Sequence, residues 1–343
     1  MHESLSERRP AITGAQAAGF ARELFGLEVA SVEDLPGERD RNFLVRDQSG
    51  AAFVLKVLHP ADDVAVAEFQ ARALLHIAAT DPGVGVPRVV APLGSPSSVL
   101  AQASGLHVRC VTYLSGRTLA EAPSDARLWT GLGRFAARLD RALADFSHPA
   151  DDHELLWDLK RADRAGELLD AMPAGDLAEL VGTTLERFSA QVKPSLTGLR
   201  MQVIHNDWNA HNIIVSKANS EVVAGVIDFG DMIRGPLSQE LATVAAYQSP
   251  DDGDPLAAAA AITAVYAEVT PLSDEEIAIV PELMAVRLAL SVLISSWRAA
   301  LYPDEATYIT RSQPIVVANL RRLVGADDGE AFLDRVARLL AAS

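Results

Sequence analysis

Between residues 203 and 215 the chain reads Val-Ile-His-Asn-Asp-Trp-Asn-Ala-His-Asn-Ile-Ile-Val, a polar run bracketed by apolar β formers. Buried strands that hold such a loop between them leave its polar groups in need of partners, since each unpaired buried group costs on the order of 1–3 kcal/mol. Sixteen residues beyond Asn212 stands Asp228, at the end of the β-rich run 222–227 and followed by Phe229, Gly230 and Asp231. Asp207, Asn212 and Asp228 therefore offer two carboxylates and one amide from two loops. Hard oxygen ligands of this kind suit Mg²⁺, which takes one or two protein carboxylates and fills the rest of its sphere with substrate phosphates and water.

Spacing assigns the roles. Asp207 and Asn212 are five residues apart, the separation of base and metal ligand in a kinase catalytic loop, and Asp228-Phe229-Gly230 matches the metal-binding triplet of the same enzymes. The triplet alone is a weak signal; loop, spacing and triplet together, each flanked by β residues, are strong. Such chemistry also needs a cation on the nucleotide phosphates. Lys56 is the one charge in the apolar strand Phe53-Val54-Leu55-Lys56-Val57, where a buried ammonium is costly unless paired. Glu68 follows twelve residues later, inside the next helical segment, so a strand lysine paired with a helix glutamate is expected. A lysine on an edge strand facing solvent is the alternative, and the company of Asp207, Asn212 and Asp228 argues against it.

The elements that must position these residues divide the chain in two. A short helix over 13–25 has Thr13 as N-cap and Gly26 as terminator. Strands over 41–47 and 52–58 flank Gln48-Ser49-Gly50, a hairpin signal. A helix from Asp62 and Asp63 to about residue 79 carries Val66, Phe69, Ala73 and Ile77 at helical spacing. Two more strands are expected over 99–102 and 107–113. After Ser115-Gly116 long Ala- and Leu-rich amphipathic segments take over: 124–146, 152–170, 175–191, 235–248, 255–269, 273–300 and 314–341. In the sixth, Leu283, Val286, Leu290, Ile294 and Trp297 form a core stripe. The β interruption at 202–228 holds the polar loop.

Composition narrows the partners. Hydrophobic residues make up 49% and charged residues 22%, the balance of a folded globular chain rather than a disordered one. At 343 residues, more than one domain is expected. A formal net charge of -16 repels nucleic-acid phosphates and anionic membrane, so neither is expected as a partner. Glu282 and Arg287 interrupt the most apolar stretch, and residues 1–10 lack the apolar run of a signal peptide. Cys110 is the sole cysteine, sits in an apolar stretch and reads as a core residue; one thiol allows no internal disulfide and fits a reducing cytoplasm.

With Lys56, Glu68, His205-x-Asp207, Asn212 and Ile227-Asp228-Phe229-Gly230-Asp231 in place, the chain resembles the aminoglycoside phosphotransferase/choline kinase family over nearly its whole length. Within it the hydroxylysine-kinase-like branch is most similar, on Glu38-Arg39-Asp40-Arg41-Asn42-Phe43 as nucleotide loop, Leu156-Trp157-Asp158-Leu159, and the segment from Trp297-Arg298 through Tyr302-Pro303-Asp304 to Tyr308-Ile309-Thr310. That branch also supplies the kinase domain fused to some class III aminotransferases; no aminotransferase domain is present here. The family's His-Gly-Asp reads His205-Asn206-Asp207, and asparagine tolerates left-handed backbone angles, so the turn is expected to survive. No glycine-rich phosphate loop is seen, with only Gly37 nearby, and no Ala-Pro-Glu segment, which argues against a typical protein kinase. The family's downstream aspartate is replaced by Glu240.

The resemblance implies an α+β, protein-kinase-like two-lobe fold. A small N-terminal antiparallel-sheet lobe with one main helix, residues 1–114, is expected to bind nucleotide. A larger, mostly helical C-terminal lobe, residues 115–343, is expected to carry the catalytic loop and acceptor site. It implies transfer from ATP or GTP, with Mg²⁺ on Asn212 and Asp228, Lys56 on the phosphates oriented by Glu68, Asn42 in the nucleotide loop, and the base against Val111 to Leu114, Tyr113 and Leu114 included. Asp207 orients the acceptor hydroxyl and accepts its proton. The acceptor is expected to be a small hydroxylated amine such as hydroxylysine, with an aminoglycoside as the main alternative. A catalytically weak nucleotide-binding regulator is the alternative of another class, motivated by Asn206. A metal-dependent hydrolase would leave Lys56 and Glu68 unexplained. His205 is read as a brace of the loop, and a transition-metal pair with His211 does not suit their spacing. Trp157, Asp158 and Trp297 are candidates for the acceptor pocket or for core packing.

Overall fold

The computed structural model describes residues 9–37, 40–122, 126–219, 222–248, 254–324 and 329–342. Two compact units emerge. The first comprises the described residues up to Ser115 together with His148–His153 and Gly225–Gly230; the second holds Gly116–Ser147, Glu154–Ala224 and the described residues from Asp231 onward. A division by residue number at 114 therefore misses two short returns, and Asp228 lies in the first unit.

In the first unit, helix α1 (Gly14–Phe25) begins where Thr13 and Gln16 form a reciprocal capping box, and Gly26 ends it at φ 68°. Strands β1 (Val29–Leu35), β2 (Arg41–Asp47), β3 (Ala52–Val57), β4 (Ala101–Ala103) and β5 (Leu106–Thr112) form an antiparallel sheet in the order β1-β2-β3-β5-β4. The sequence reading lacked β1, in which no residue is fully buried and Glu33 and Asp34 stand side by side; it pairs with β2. Phe43, Val45, Leu55, Val57, Val108 and Cys110 pack with Phe20 and Phe25 of α1. Helix α2 (Val64–Thr80) is N-capped by Asp63 and buries Ala67, Gln70, Ala71, Leu74 and Ile77. The strand register places Asn42 opposite Lys56 on one side and Arg109 opposite Lys56 on the other.

The second unit is helical around two small β ladders. Helix α3 (Ala126–Leu143) is followed by a 3-10 stretch, Leu159–Ala171, kinked at Arg161. An α-helix was expected over 152–170; instead buried Asp158 caps Lys160 N–H and pairs with both Lys160 and Arg161, which holds the segment in tight turns. Helix α4 (Asp176–Arg187) passes through a π turn into the short α5 (Lys193–Ser195). Strand β6 (Arg117–Thr118) pairs antiparallel with β8 (Ile213–Val215), beside β9 (Val223–Val226). Strand β7 (Met201–Ile204) pairs antiparallel with β10 (Ile233–Pro236). The helix expected from 235 thus starts later: residues 235 and 236 belong to β10, and α6 is Leu237–Ala246.

Helices α7 (Ala257–Val269), α8 (Asp274–Ala278) and α9 (Val280–Leu301) follow, then the short α10 (Ala306–Ile309), α11 (Gln313–Val324) and α12 (Gly329–Ala342). The segment expected as one helix over 314–341 is two helices, with 325–328 outside the described residues, as are 124 and 125 at the expected start of α3. Residues 274–301 are apolar and long enough to cross a membrane by composition, but 83% of their most apolar window is buried within the protein. Helix α9 packs on α6, α4 and α11, so its apolar face is core.

Candidate active site

Strands β7 and β8 fix the two ends of the polar loop 205–212. Its backbone is gripped from α6. The fully buried carboxylate of Glu240 accepts the N–H of His205 at 3.0 Å and of Asn206 at 2.7 Å. Burial pushes that carboxyl up to about 7, against the hydrogen bonds from the loop and the charge of Arg287, which favour its ionised form. Asn206 turns the chain at φ 65°, the left-handed angle expected of it. Its Nδ2 donates to the Asp231 carbonyl at 3.2 Å, and its Oδ1 accepts from Gln239 Nε2 at 2.9 Å. Asparagine thus replaces glycine without loss of the turn and adds two side-chain bonds. Buried His205 accepts the Asp207 N–H on Nδ1 at 3.2 Å, the bracing role assigned to it. His211 is exposed.

These bonds aim Asp207. Its carboxylate accepts from Asn209 Nδ2 at 3.0 and 3.1 Å, from Asn212 Nδ2 at 2.6 Å and from Arg287 Nη2 at 3.2 Å, and is 16% exposed. Asn212 donates through nitrogen, so its Oδ1 is the atom left to face a cation. Asp207 and Asn212, chosen by spacing, therefore meet in space.

Lys56, Asp228 and Asn42 belong to the first unit. Gly225 allows the return: a β-carbon there would sit 2.0 Å from the Gly85 carbonyl oxygen, which accepts the Val226 N–H at 3.0 Å. Asp228 follows at φ 61°, a left-handed angle uncommon for aspartate and concentrated at functional sites. Lys56 Nζ lies 3.7 Å from Asp228 Oδ1 and 3.5 Å from Asp40 Oδ2.

Glu68 does not take the place expected of it. Among the described residues no ion pair joins it to Lys56, whose carboxylate partners are Asp40 and Asp228. Helix periodicity explains the miss, since Glu68 shares the stripe of exposed Arg72 and Leu75 while Ala67, Gln70, Ala71 and Leu74 form the buried face. Gln70 holds the inner position instead: it accepts from Arg109 Nη1 at 3.1 Å and donates to the Gly230 carbonyl at 3.0 Å. Burial pushes the Arg109 guanidinium pKa down, opposed by the charges of Asp40 and Asp228.

Asn42 donates to the Pro36 carbonyl at 3.1 Å and so closes the turn before β2, whose neighbours Glu38 and Arg39 lie outside the described residues. Tyr113 is 39% exposed and its N–H is spent on the Ala52 carbonyl at 2.8 Å. Leu114 packs where a β-carbon at Gly225 would meet its Cδ2.

Three other residues resolve into structure. Cys110 is buried, and burial pushes its thiol up to about 12, which suits a core residue. Asp158 is fully buried in its ion pairs, and Trp297 is buried on α9. Sequence reasoning passed over Arg287 except as a break in an apolar run. That isolation was the available signal, because a charge on a buried helix face needs a partner. Its partner is Asp207.

A unit that holds a lysine on an antiparallel sheet together with the Asp-Phe-Gly carboxylate, and a helical unit presenting an aspartate braced by an asparagine five residues on, define a phosphotransferase of the protein-kinase-like fold. The Phosphotransferase enzyme family matches residues 31–272, and the chain belongs to that family, enzymes that phosphorylate a hydroxyl. Hydroxylysine kinase of Danio rerio is 27% identical over 341 residues, covering 95% of this chain and 96% of its own. Hydroxylysine kinase of Mus musculus is 28% identical over 330 residues, covering 90% and 88%. Among solved structures, an amicoumacin kinase in complex with AMP-PNP, Ca²⁺ and its antibiotic superposes with TM-score 0.65 at 16% identity over 92% of this chain and 96% of that one. A microcompartment-associated aminopropanol kinase does so with TM-score 0.62 at 18% identity over 91% and 98%.

Proposed function

We propose that the protein transfers the γ-phosphoryl group of ATP or GTP to the hydroxyl of a small amino alcohol or hydroxylated amino acid resembling hydroxylysine. The observation that carries this is the Asp207 carboxylate, presented by four side-chain N–H contacts on a loop whose backbone is itself clamped by Glu240. Asp207 orients the acceptor hydroxyl. A new bond forms between that oxygen and the γ-phosphorus as the bond to the β-phosphate oxygen breaks. The hydroxyl proton passes to Asp207 late in a loose transition state, and the nucleoside diphosphate leaves. Positioning and charge neutralisation supply most of the acceleration.

Lys56, on the strand between β2 and β5, contacts the phosphates; Asp40 and Asp228 keep its ammonium oriented until they arrive. Asn42 shapes the turn over which nucleotide lies, and Tyr113 and Leu114 offer backbone to the base. The Oδ1 of Asn212 and the Asp228 carboxylate, 53% exposed, fit Mg²⁺ as hard oxygen donors that leave most positions to phosphate. When bound, Mg²⁺ neutralises phosphate charge. The AMP-PNP and Ca²⁺ of the amicoumacin kinase support a nucleotide with a divalent ion, and the hydroxylysine kinases and aminopropanol kinase support a hydroxylated amine as acceptor. The buried free thiol suits a reducing cytoplasm as the place of action. Asn206, the ground for a catalytically weak regulator, holds the turn that glycine would hold.

A screen of amino alcohols, hydroxy amino acids and aminoglycosides with both nucleotides tests the reading. We expect phosphorylation of a small hydroxylated amine. Turnover confined to aminoglycosides, with resistance in cells expressing the protein, would replace this acceptor class. Nucleotide-induced thermal stabilisation with no turnover on any acceptor would remove the enzyme reading for this chain.

A further inference from the structure

The base Asp207 has an unusual neighbour. Arg287 is 2% exposed, on a helix whose other buried residues are all apolar. Its Nε donates to the Tyr247 hydroxyl at 3.0 Å, and its Nη2 donates to Asp207 Oδ1 at 3.2 Å. The guanidinium lies 4.6 Å from the centre of the Trp157 ring and 5.7 Å from that of Tyr247, so aromatic faces fix its plane. Ser291 in turn holds the Tyr247 hydroxyl at 3.0 Å. Burial alone would lower the guanidinium's pKa; Tyr247, Asp207 and Asp231 more than reverse that, so the cation is kept. Yet among the described residues Nη1 is buried with no hydrogen-bond partner; Arg41, Arg88, Arg187 and Arg335 also carry such a nitrogen, but this one belongs to the guanidinium that touches Asp207. Buried donors in native proteins are almost always satisfied, and an orphan on the guanidinium that holds the proposed base is placed to meet a ligand's acceptor atom.

Two features say what that ligand is. The N–H groups of a guanidinium edge match a planar carboxylate. Its neighbour Nη2 sits on the carboxylate where the acceptor hydroxyl must dock, so the ligand's anionic group and its hydroxyl are a few bonds apart in one small molecule. Trp157, Tyr247 and Asp207 are each partly exposed and provide the approach.

We propose that Arg287 reads the carboxylate of the acceptor: Nη1 receives the carboxylate of a hydroxylated amino acid whose hydroxyl lies on Asp207. The inference rests on the kinase reading above and narrows its acceptor from amines at large to amino acids. Amino alcohols and aminoglycosides, cationic and without a carboxylate, leave Nη1 unsatisfied and meet a like charge, so the same contact selects against them.

Three matched pairs test it: hydroxylysine with 1,5-diaminopentan-2-ol, homoserine with 3-aminopropanol, and serine with ethanolamine, each second member lacking only the carboxylate. Full-chain protein is assayed for kcat/KM with ATP and GTP, and each acceptor's binding is measured by calorimetry. In the wild type the carboxylated member of the preferred pair should be favoured by about tenfold to a hundredfold, the worth of a charged hydrogen-bonded contact. In Arg287→Met that ratio should collapse towards one, even if both absolute rates fall through loss of the Asp207 contact; Arg287→Lys should restore part of it.

A wild type indifferent to the carboxylate in every pair overturns the proposal, and this result needs no variant to fold. An Arg287→Met protein that slows both members equally, with the ratio kept, also overturns it and leaves Arg287 acting on Asp207 or on the transferred phosphoryl group. Carboxylate-selective, Arg287-dependent binding without phosphorylation of any member supports this inference while refuting the kinase reading.

Discussion

In the loop 205–212 the N–H groups of His205 and Asn206 meet one buried carboxylate at 3.0 and 2.7 Å, and Asp207, the proposed base, is met by Asn209, Asn212 and Arg287. In the first unit, Lys56 has its two carboxylates at 3.5 and 3.7 Å, longer than good hydrogen bonds, and Asp228 is 53% exposed. Asp207 is held by short side-chain hydrogen bonds; Lys56 stands farther from its two carboxylates, one of which, Asp228, faces solvent. The contrast fits the roles proposed for them. A base must already be aimed when the hydroxyl arrives, since misplacement is costly in rate. A phosphate-binding lysine and a metal-binding carboxylate must instead give up their partners for ligands, and tight native pairing would oppose that exchange.

The largest effect should come from the rigid side. Asp207→Asn keeps the size of the side chain and removes the proton acceptor, so turnover should fall by about 10²–10⁴-fold with nucleotide affinity nearly unchanged, read by steady-state rates and nucleotide titration. Full activity in that variant would end the assignment of the base. On the loose side, Lys56→Met should raise the nucleotide KM by about tenfold to a hundredfold, the worth of charged hydrogen bonds to phosphate. An effect on kcat alone would mean that the lysine is no ground-state phosphate ligand.

The clamp itself can be read through pH. Glu240 has its folded pKa raised from 4.5 to about 7, so the folded state holds this proton longer than the unfolded chain. Its stabilising contribution is full at the acid end and is lost as pH rises from about 4.5 through about 7. Glu240→Gln removes that titration. The stability of the variant relative to wild type, from urea melts, should therefore climb across the interval, by no more than about 3 kcal/mol. A parallel pair of curves would show that Glu240 does not titrate there.

The smallest effect belongs to Glu68. Glu68→Ala should change stability by less than about 0.5 kcal/mol and leave nucleotide KM where it was, whereas Asp40→Asn should raise that KM. The reverse order would make the helix glutamate the partner of Lys56 after all.

How far the sequence carried this reading depended on whether a role is local. Asp207 and Asn212 sit on one loop, so their separation in the chain was enough to find them. The hairpin of β2 and β3, the caps at Thr13 and Asp63, and the α9 stripe ending at Trp297 are likewise local patterns. Arg287 meets Asp207 across 80 residues, and Gln70 meets the Gly230 carbonyl across 160. No local pattern encodes such pairs; each showed only as a polar residue on an apolar face. Glu68 failed for the opposite reason. A sound expectation for a lysine-bearing strand and the next helix was placed one stripe off the buried face, and the helical angle between Glu68 and Gln70 decides which of them turns inward.

The return of Gly225–Gly230 to the first unit has a consequence for how the protein is made. On the ribosome the five-stranded sheet emerges early, but Val226, whose N–H meets Gly85, and Gly230, whose carbonyl meets Gln70, are translated only after much of the helical unit. The nascent first unit must wait, incomplete, for a segment that a fragment ending at Ser115 would never receive. Closing so long a loop costs entropy that rises only slowly with its length, so the delay is affordable in free energy. It also means that swapping this half between relatives by a single crossover near the apparent boundary would transfer the lysine and leave the aspartate behind.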